Sequence, residues 1–253
     1  MQITVLVENT ASQGLCGEHG LSLYLRHAGR SWLLDAGQSE QFAQNALVLD
    51  CPLEEVSAAV LSHGHYDHAD GLPTLLQRNP NVKVYARTAA VQPRYDPHKP
   101  GRYIGICAAL TGPFRDRLVL GDEPRTLAPG LWLIPDALDH EQSLVAEGKE
   151  GLVIMNSCCH AGVAEIVAEI KARFPGKPVR AVLGGFHLMG PGGVTTLGKT
   201  PEEVTGLAHT LLYELGVGDI YTGHCTGQPG FELLRQAAPG RVHGLHTGDV
   251  LEF

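Results

Sequence analysis

Residues 63–68 read His63-Gly64-His65-Tyr66-Asp67-His68, three imidazoles and a carboxylate within six positions. His63 and His65 flank a residue without a side chain, so both rings can converge on one cation. Asp67 and His68 follow at the start of a helical stretch and can serve a second cation a few ångströms away. Imidazole nitrogen and carboxylate oxygen together suit zinc, manganese or iron. So dense a set of donors at a strand-to-helix turn is more specific than a lone His-x-His, and it leads us to expect one or two divalent transition-metal ions, zinc foremost.

The elements that must position this turn are legible around it. The apolar run 58–62 reads as a buried strand ending at His63, and 71–77 reads as a helix with Pro73 in its first turn. Upstream, strands are expected at 3–7, 21–27 and 31–35, the last two joined by the turn Ala28-Gly29-Arg30, with a helix at 40–49 that stops before Pro52. A strand at 82–86 closes this half. The second half repeats the plan: strands at 131–135, 143–146 and 151–156, a helix at 164–174, a strand at 179–183 and a helix at 201–215 capped by Thr200 with Pro201 in its first turn. A strand at 220–222, a helix near 231–237 and a last strand near 250–253 follow. Two similar halves predict an α/β fold of two mixed sheets packed face to face, with helices outside. No linker divides the chain, so a single domain over 1–253 is expected. Residues 87–130, rich in Pro, Gly, Arg and Tyr and weak in periodicity, are expected to form a lid or insertion.

Composition narrows the function. A chain of 253 residues with 43% hydrophobic and 18% charged residues is globular rather than disordered. The net charge of −8 argues against nucleic acid as a partner. No apolar run is long enough to span a bilayer, so no membrane association is expected. The N-terminus begins in a strand pattern without a charged, apolar leader, so a cytoplasmic protein with reduced thiols is expected, its six cysteines not forming a disulfide framework.

The His63-to-His68 run, following its buried strand, resembles the metallo-β-lactamase superfamily. The likeness extends over essentially the whole chain and implies a four-layer αββα sandwich, a mono- or dinuclear metal site and usually a hydrolase. Five further runs are similar to the dihydropterin ribofuranosylaminobenzene-phosphate synthase-like branch: Glu18-His19-Gly20-Leu21-Ser22, Asp139-His140-Glu141-Gln142-Ser143-Leu144, Ser157-Cys158-Cys159-His160-Ala161-Gly162, Gly184-Gly185-Phe186-His187-Leu188 and Gly223-His224-Cys225-Thr226-Gly227. The resemblance implies that the remaining ligands come from the second half, with His160 and His224 as candidates. It assigns His63, His65 and His160 to one cation and Asp67, His68 and His224 to the other, with Asp67 also orienting a water nucleophile. His187 is expected off the metal, as a proton donor to a leaving group or an orienting partner. His140 is left open. Where the superfamily usually carries a bridging aspartate, this chain has Ser157-Cys158, and Cys158 is either a thiolate ligand or a buried thiol beside His160.

The lid supplies a substrate hint. Arg87, Arg94, His98, Lys99 and Arg102 stand against one acid, Asp96, with Tyr95 and Tyr103 interleaved. Guanidinium pairs with phosphate or carboxylate and tyrosine stacks on flat rings, so Arg94 and Arg102 are expected to bind a small anionic substrate. The expected activity is metal-dependent hydrolysis of a small anionic ester, a phosphoester first. The alternatives are a pterin-linked C–N group transfer and a metal-binding protein with little catalysis.

Overall fold

The computed structural model describes residues 1–253, and within them two compact units: Met1–Pro124 with His246–Glu252, and Arg125–Leu245 with Phe253. Each is built on one seven-stranded mixed sheet.

In the first unit the strands are β1 (Gln2–Val7), β2 (Ser22–His27), β3 (Arg30–Leu34), β4 (Val56–Val60), β5 (Val84–Ala86), β6 (Leu118–Leu120) and the last strand of the chain, β16 (Val250–Glu252), in the order β16-β1-β2-β3-β4-β5-β6. The β2–β3 hairpin turns at Ala28 and Gly29, both left-handed at φ 51° and 72°. That pair of positive φ values matches the right-handed twist of the flanking strands. Helices α1 (Gln41–Val48), α2 (Tyr66–Ala69), α3 (Leu72–Arg78) and α4 (Ala108–Thr111) accompany this sheet. Phe42, Ala43 and Ala46 of α1 and Leu72, Leu75 and Leu76 of α3 pack with Leu33, Ala59 and Val84 in one core.

The second unit holds β7 (Arg125–Ala128), β8 (Leu131–Pro135), β9 (Gln142–Gly148), β10 (Gly151–Met155), β11 (Val179–Gly184), β14 (Val217–Thr222) and β15 (Val242–Gly244) in one sheet, and a separate ribbon of β12 (Met189–Gly190) and β13 (Gly193–Leu197). Its helices are α5 (Val163–Arg173), α6 (Pro201–His209) and α7 (Gly227–Ala237). Val163, Ile166, Val167 and Ile170 form the buried stripe of α5, spaced three and four apart as a helix face requires. They share a core with Ile154, Val182, Val204, Ile220 and Leu234.

The two sheets follow one pairing plan. In the first, the pairs from β16 through β3 are antiparallel and those from β3 through β6 are parallel. In the second, the pairs from β7 through β10 are antiparallel and those through β11, β14 and β15 are parallel. This repeat bears out the two similar halves read from the sequence, and the two sheets with their helices are the fold that the resemblance implied.

The details differ where the sequence signal is short. The helix expected over 201–215 is α6 followed by a wider π-type turn at Thr210–Glu214. Its start is as expected: Thr200 Oγ1 accepts from the Glu203 N–H while Glu203 returns a bond to the Thr200 N–H. Residues 87–130 carry a 3-10 turn (Thr88–Val91), α4, β6 and β7. Between them, 94–104 folds back on itself, with Asp96 N–H donating to Arg102 O and Ile104 N–H to Arg94 O.

Candidate metal centre

In the first unit the ligand-type residues gather at the carboxyl ends of the parallel strands β3 and β4, where open α/β sheets place their sites. Asp35, one residue past β3, is fully buried and left-handed at φ 57°. Such a backbone is costly for a non-glycine residue and persists only when its surroundings enforce it. Here the enforcement is a hydrogen-bond network. Asp35 Oδ1 accepts from Ser62 N–H at 2.7 Å, and Oδ2 accepts from Ser62 Oγ at 2.6 Å and from His68 Nδ1 at 2.8 Å.

This network sets two imidazoles. The Ser62 hydroxyl gives its proton to Asp35, so it accepts from His63 Nδ1, 2.9 Å away. His68 likewise spends its Nδ1 proton on Asp35. In both rings the lone pair therefore falls on Nε2, the tautomer a metal needs. His63 Nε2 and His65 Nδ1 lie 2.9 Å apart, and His68 Nε2 lies 3.6 Å from Asp67 Oδ2. His63 and His68 are fully buried, and Asp67 is nearly so. Two buried, pre-oriented imidazoles beside a carboxylate are a donor set that fits a divalent cation.

Gly64 is required by packing. A Cβ there would stand 2.2 Å from the Ala90 carbonyl oxygen, so the turn after β5 presses on the middle of the His63-to-His68 run. Tyr66 N–H donates to Ile104 O at 3.0 Å, and Arg102 Nη2 reaches Tyr66 Oη at 3.4 Å, so the 94–104 excursion is fastened to the start of α2.

In the second unit the donors lie past the parallel strands β10, β11 and β14. Cys159, His187 and His224 are all left-handed, with φ of 52°, 49° and 47°. The turn after β10 is held by Glu141, whose buried carboxylate accepts the Cys158 N–H at 2.7 Å and the His160 N–H at 3.0 Å. The His160 ring packs against His187, with centroids 4.4 Å apart, and against His140 at 4.9 Å. His140 Nδ1 also pairs with Asp139. One donor atom each from Cys158, His224 and Cys225, all buried, lies within 4.8 Å of the others. Burial raises the Cys225 thiol, but hydrogen bonds from Cys158 and His187 and the His187 charge outweigh it and bring the thiol down to about 5. The bond to Cys225 correspondingly raises the His187 imidazole against the opposing effect of burial. Cys159 differs: burial pushes its thiol well up, so it stays neutral.

The structure thus brings His63, His65, Asp67 and His68 together in the first unit, and His160 with His187, and His224 with Cys158, in the second. Arg94 and Arg102 both stand on the 94–104 excursion, and Arg102 pairs with Asp96 at 3.5 Å. Arg87, counted in the same basic stretch, pairs with Asp122. Sequence reasoning missed Asp35 and Ser62, and it gave no role to Glu141. The signal for Asp35 was available: an acid directly after the apolar run Leu33-Leu34 and before a small residue, where a buried carboxylate needs a partner.

Comparison with known proteins shows what the chain as a whole is similar to. A family model described as the metallo-beta-lactamase superfamily matches residues 17–224. An uncharacterized protein of Methanocaldococcus jannaschii is 29% identical over 214 residues, covering 74% of this chain and 80% of that one. The 7,8-dihydropterin-6-methyl-4-(beta-D-ribofuranosyl)-aminobenzene-5'-phosphate synthase of the same organism is 24% identical over 284 aligned positions, covering 93% of this chain and 90% of the synthase. A solved structure described as a metal-dependent hydrolase of the beta-lactamase superfamily matches 100% of this chain and 99% of its own, with a TM-score of 0.83 and 26% identity.

Proposed function

The chain belongs to the metallo-β-lactamase superfamily, and we propose that it is a metal-dependent hydrolase of a small anionic ester, a phosphoester first. The observation that carries this reading is the Asp35–Ser62 network, which turns two buried imidazoles so that their Nε2 lone pairs face outward from it. The proposed ligands are His63, His65, Asp67 and His68 in the first unit and His160 and His224 in the second. Bound there, one or two divalent transition-metal ions, zinc foremost, would lower the pKa of water toward ~7 and polarise the ester oxygen.

The chain's own residues do the rest. Asp67 accepts the proton of the attacking water and aims its oxygen. His187, fixed by its bond to Cys225 and packed on His160, hands a proton to the leaving group. Arg94 and Arg102 hold the anionic end of the substrate from the 94–104 excursion, which acts as the lid.

A second reading is supported by the likeness to the synthase, which spans nearly the whole length of both chains. In it the same site and lid serve group transfer between a pterin and an aromatic ribophosphate, with Tyr95 and Tyr103, exposed and in edge contact, as stacking surfaces.

The deciding experiment loads the full chain with zinc, manganese or iron(II) and assays phosphomonoesters, phosphodiesters and lactones, then repeats the panel after chelation. Metal-dependent turnover of an anionic ester, lost in His187→Ala with metal still bound, supports the hydrolase. If every ester is inert while a pterin and an aromatic ribophosphate are joined, the second reading replaces it.

A further inference from the structure

One imidazole outside the His63-to-His68 run reaches the same carboxylate. His19 Nε2 lies 3.3 Å from Asp67 Oδ2, and His68 Nε2 lies 3.6 Å from that same oxygen. Donors bound at 2.0–2.1 Å to a tetrahedral ion stand about 3.3–3.4 Å apart. The 3.3 Å between His19 Nε2 and Asp67 Oδ2 is therefore that of two ligands sharing one ion. We propose that His19 is a ligand of a cation held by Asp67, so that a loop outside the His63-to-His68 run supplies a donor to it.

The loop carrying His19 is built to place it. Glu18, the preceding residue, turns away from the site: its Oε1 accepts the Gln38 and Ser39 N–H groups at 3.1 and 3.2 Å, and its Oε2 accepts from Ser39 Oγ at 2.6 Å. Its own N–H donates to Glu8 O at 3.1 Å. On the other side, Gly20 is at φ 149°, and a Cβ there would come within 2.3 Å of the Asp67 carbonyl oxygen and 3.2 Å of Gly37 Cα. The backbone at Gly20 thus lies directly on the backbone of Asp67, and only glycine allows that approach. Between a clamped Glu18 and a Gly20 seated on Asp67, the His19 ring has little choice but to meet the Asp67 carboxylate. A ring placed there only to neutralise Asp67 would compete with a metal for that oxygen. A ligand would strengthen metal binding instead, and this difference makes the proposal testable.

The inference rests on the metal-site reading above, and the test separates the two. The full chain is stripped with chelator and titrated with zinc alone against a chromophoric chelator, then loaded with cobalt(II) for its visible absorption. His19→Ala and His19→Gln are compared with the wild type, with His209→Ala, exposed in α6, as control. Both His19 variants should weaken at least one of the bound ions by about 10-fold or more and shift the cobalt bands, while His209→Ala and the far-ultraviolet circular dichroism stay as in the wild type. If the wild type takes up metal and the His19 variants match it in affinity and spectrum, or bind more tightly, His19 is not a ligand and this inference alone falls. If the wild type takes up no metal, both readings fall together.

Discussion

Asp35 accepts three hydrogen bonds at full burial, two from Ser62 and one from His68. Its removal would strand three buried donors, each worth about 1–3 kcal/mol when left without an acceptor. Asp35→Ala should therefore destabilise the chain by about 3 kcal/mol or more, read as a lower urea midpoint at unchanged slope. It should also weaken metal binding, because His63 and His68 lose the partner that selects their tautomer. His65 makes a different case: it is partly exposed, and its ring contacts and hydrogen-bonds that of His63. His65→Ala should cost about 10-fold or more in metal affinity while leaving the urea midpoint of the metal-free protein within about 0.5 kcal/mol of the wild type. A variant with unchanged zinc affinity would remove His65 from the ligand set.

At the scale of elements, close backbone approach matters more than propensity. The turn at Thr88–Val91 touches Gly64 so tightly that Gly64→Ala should cost about 1–3 kcal/mol as overpacking and displace the histidines on either side, so stability and zinc affinity should fall together. Thr200→Ala is the matching control: it removes an exposed cap from α6, costing about 1 kcal/mol without any change in zinc affinity. The 94–104 excursion yields a third expectation. If Arg94 and Arg102 hold a substrate anion, Arg94→Gln or Arg102→Gln should raise KM by about 10- to 150-fold, the equivalent of losing a charge-assisted bond of about 1.5–3 kcal/mol. Zinc affinity should hardly move, since neither arginine is a donor. An unmoved KM for every anionic substrate would make the excursion a solvated surface.

For the whole molecule, a metal held by these donors would couple its binding to folding, because the donors are gathered only in the folded chain. Zinc at about 100 times its Kd should add about 2.7 kcal/mol, which for a chain of this size raises Tm by roughly 5–10 °C, and chelator should reverse the shift. A Tm indifferent to zinc, manganese and iron(II) would contradict a site assembled by the fold. No helix is long and apolar enough to cross a membrane.

The sequence by itself determined the two similar halves, the strands with a full period and the donor-rich turn. A strand such as β10 is apolar along its length because both faces are buried, and that pattern is local. Three-residue strands such as β6 and β15 were not legible: they are too short to show a period, and only pairing with a neighbour makes them strands. The His63-to-His68 run announced itself because its donors are adjacent in the chain. Asp35, Ser62 and Glu141 did not, because an acid or a serine at a strand end looks like any loop residue until another strand brings it a partner. His19 likewise appeared only as part of a resembling run. Its meeting with Asp67 depends on Gly20 lying against the Asp67 backbone, a contact between loops 47 positions apart. Residue types and spacing chose the chemistry; long-range backbone contact decided which imidazoles are oriented, and by what.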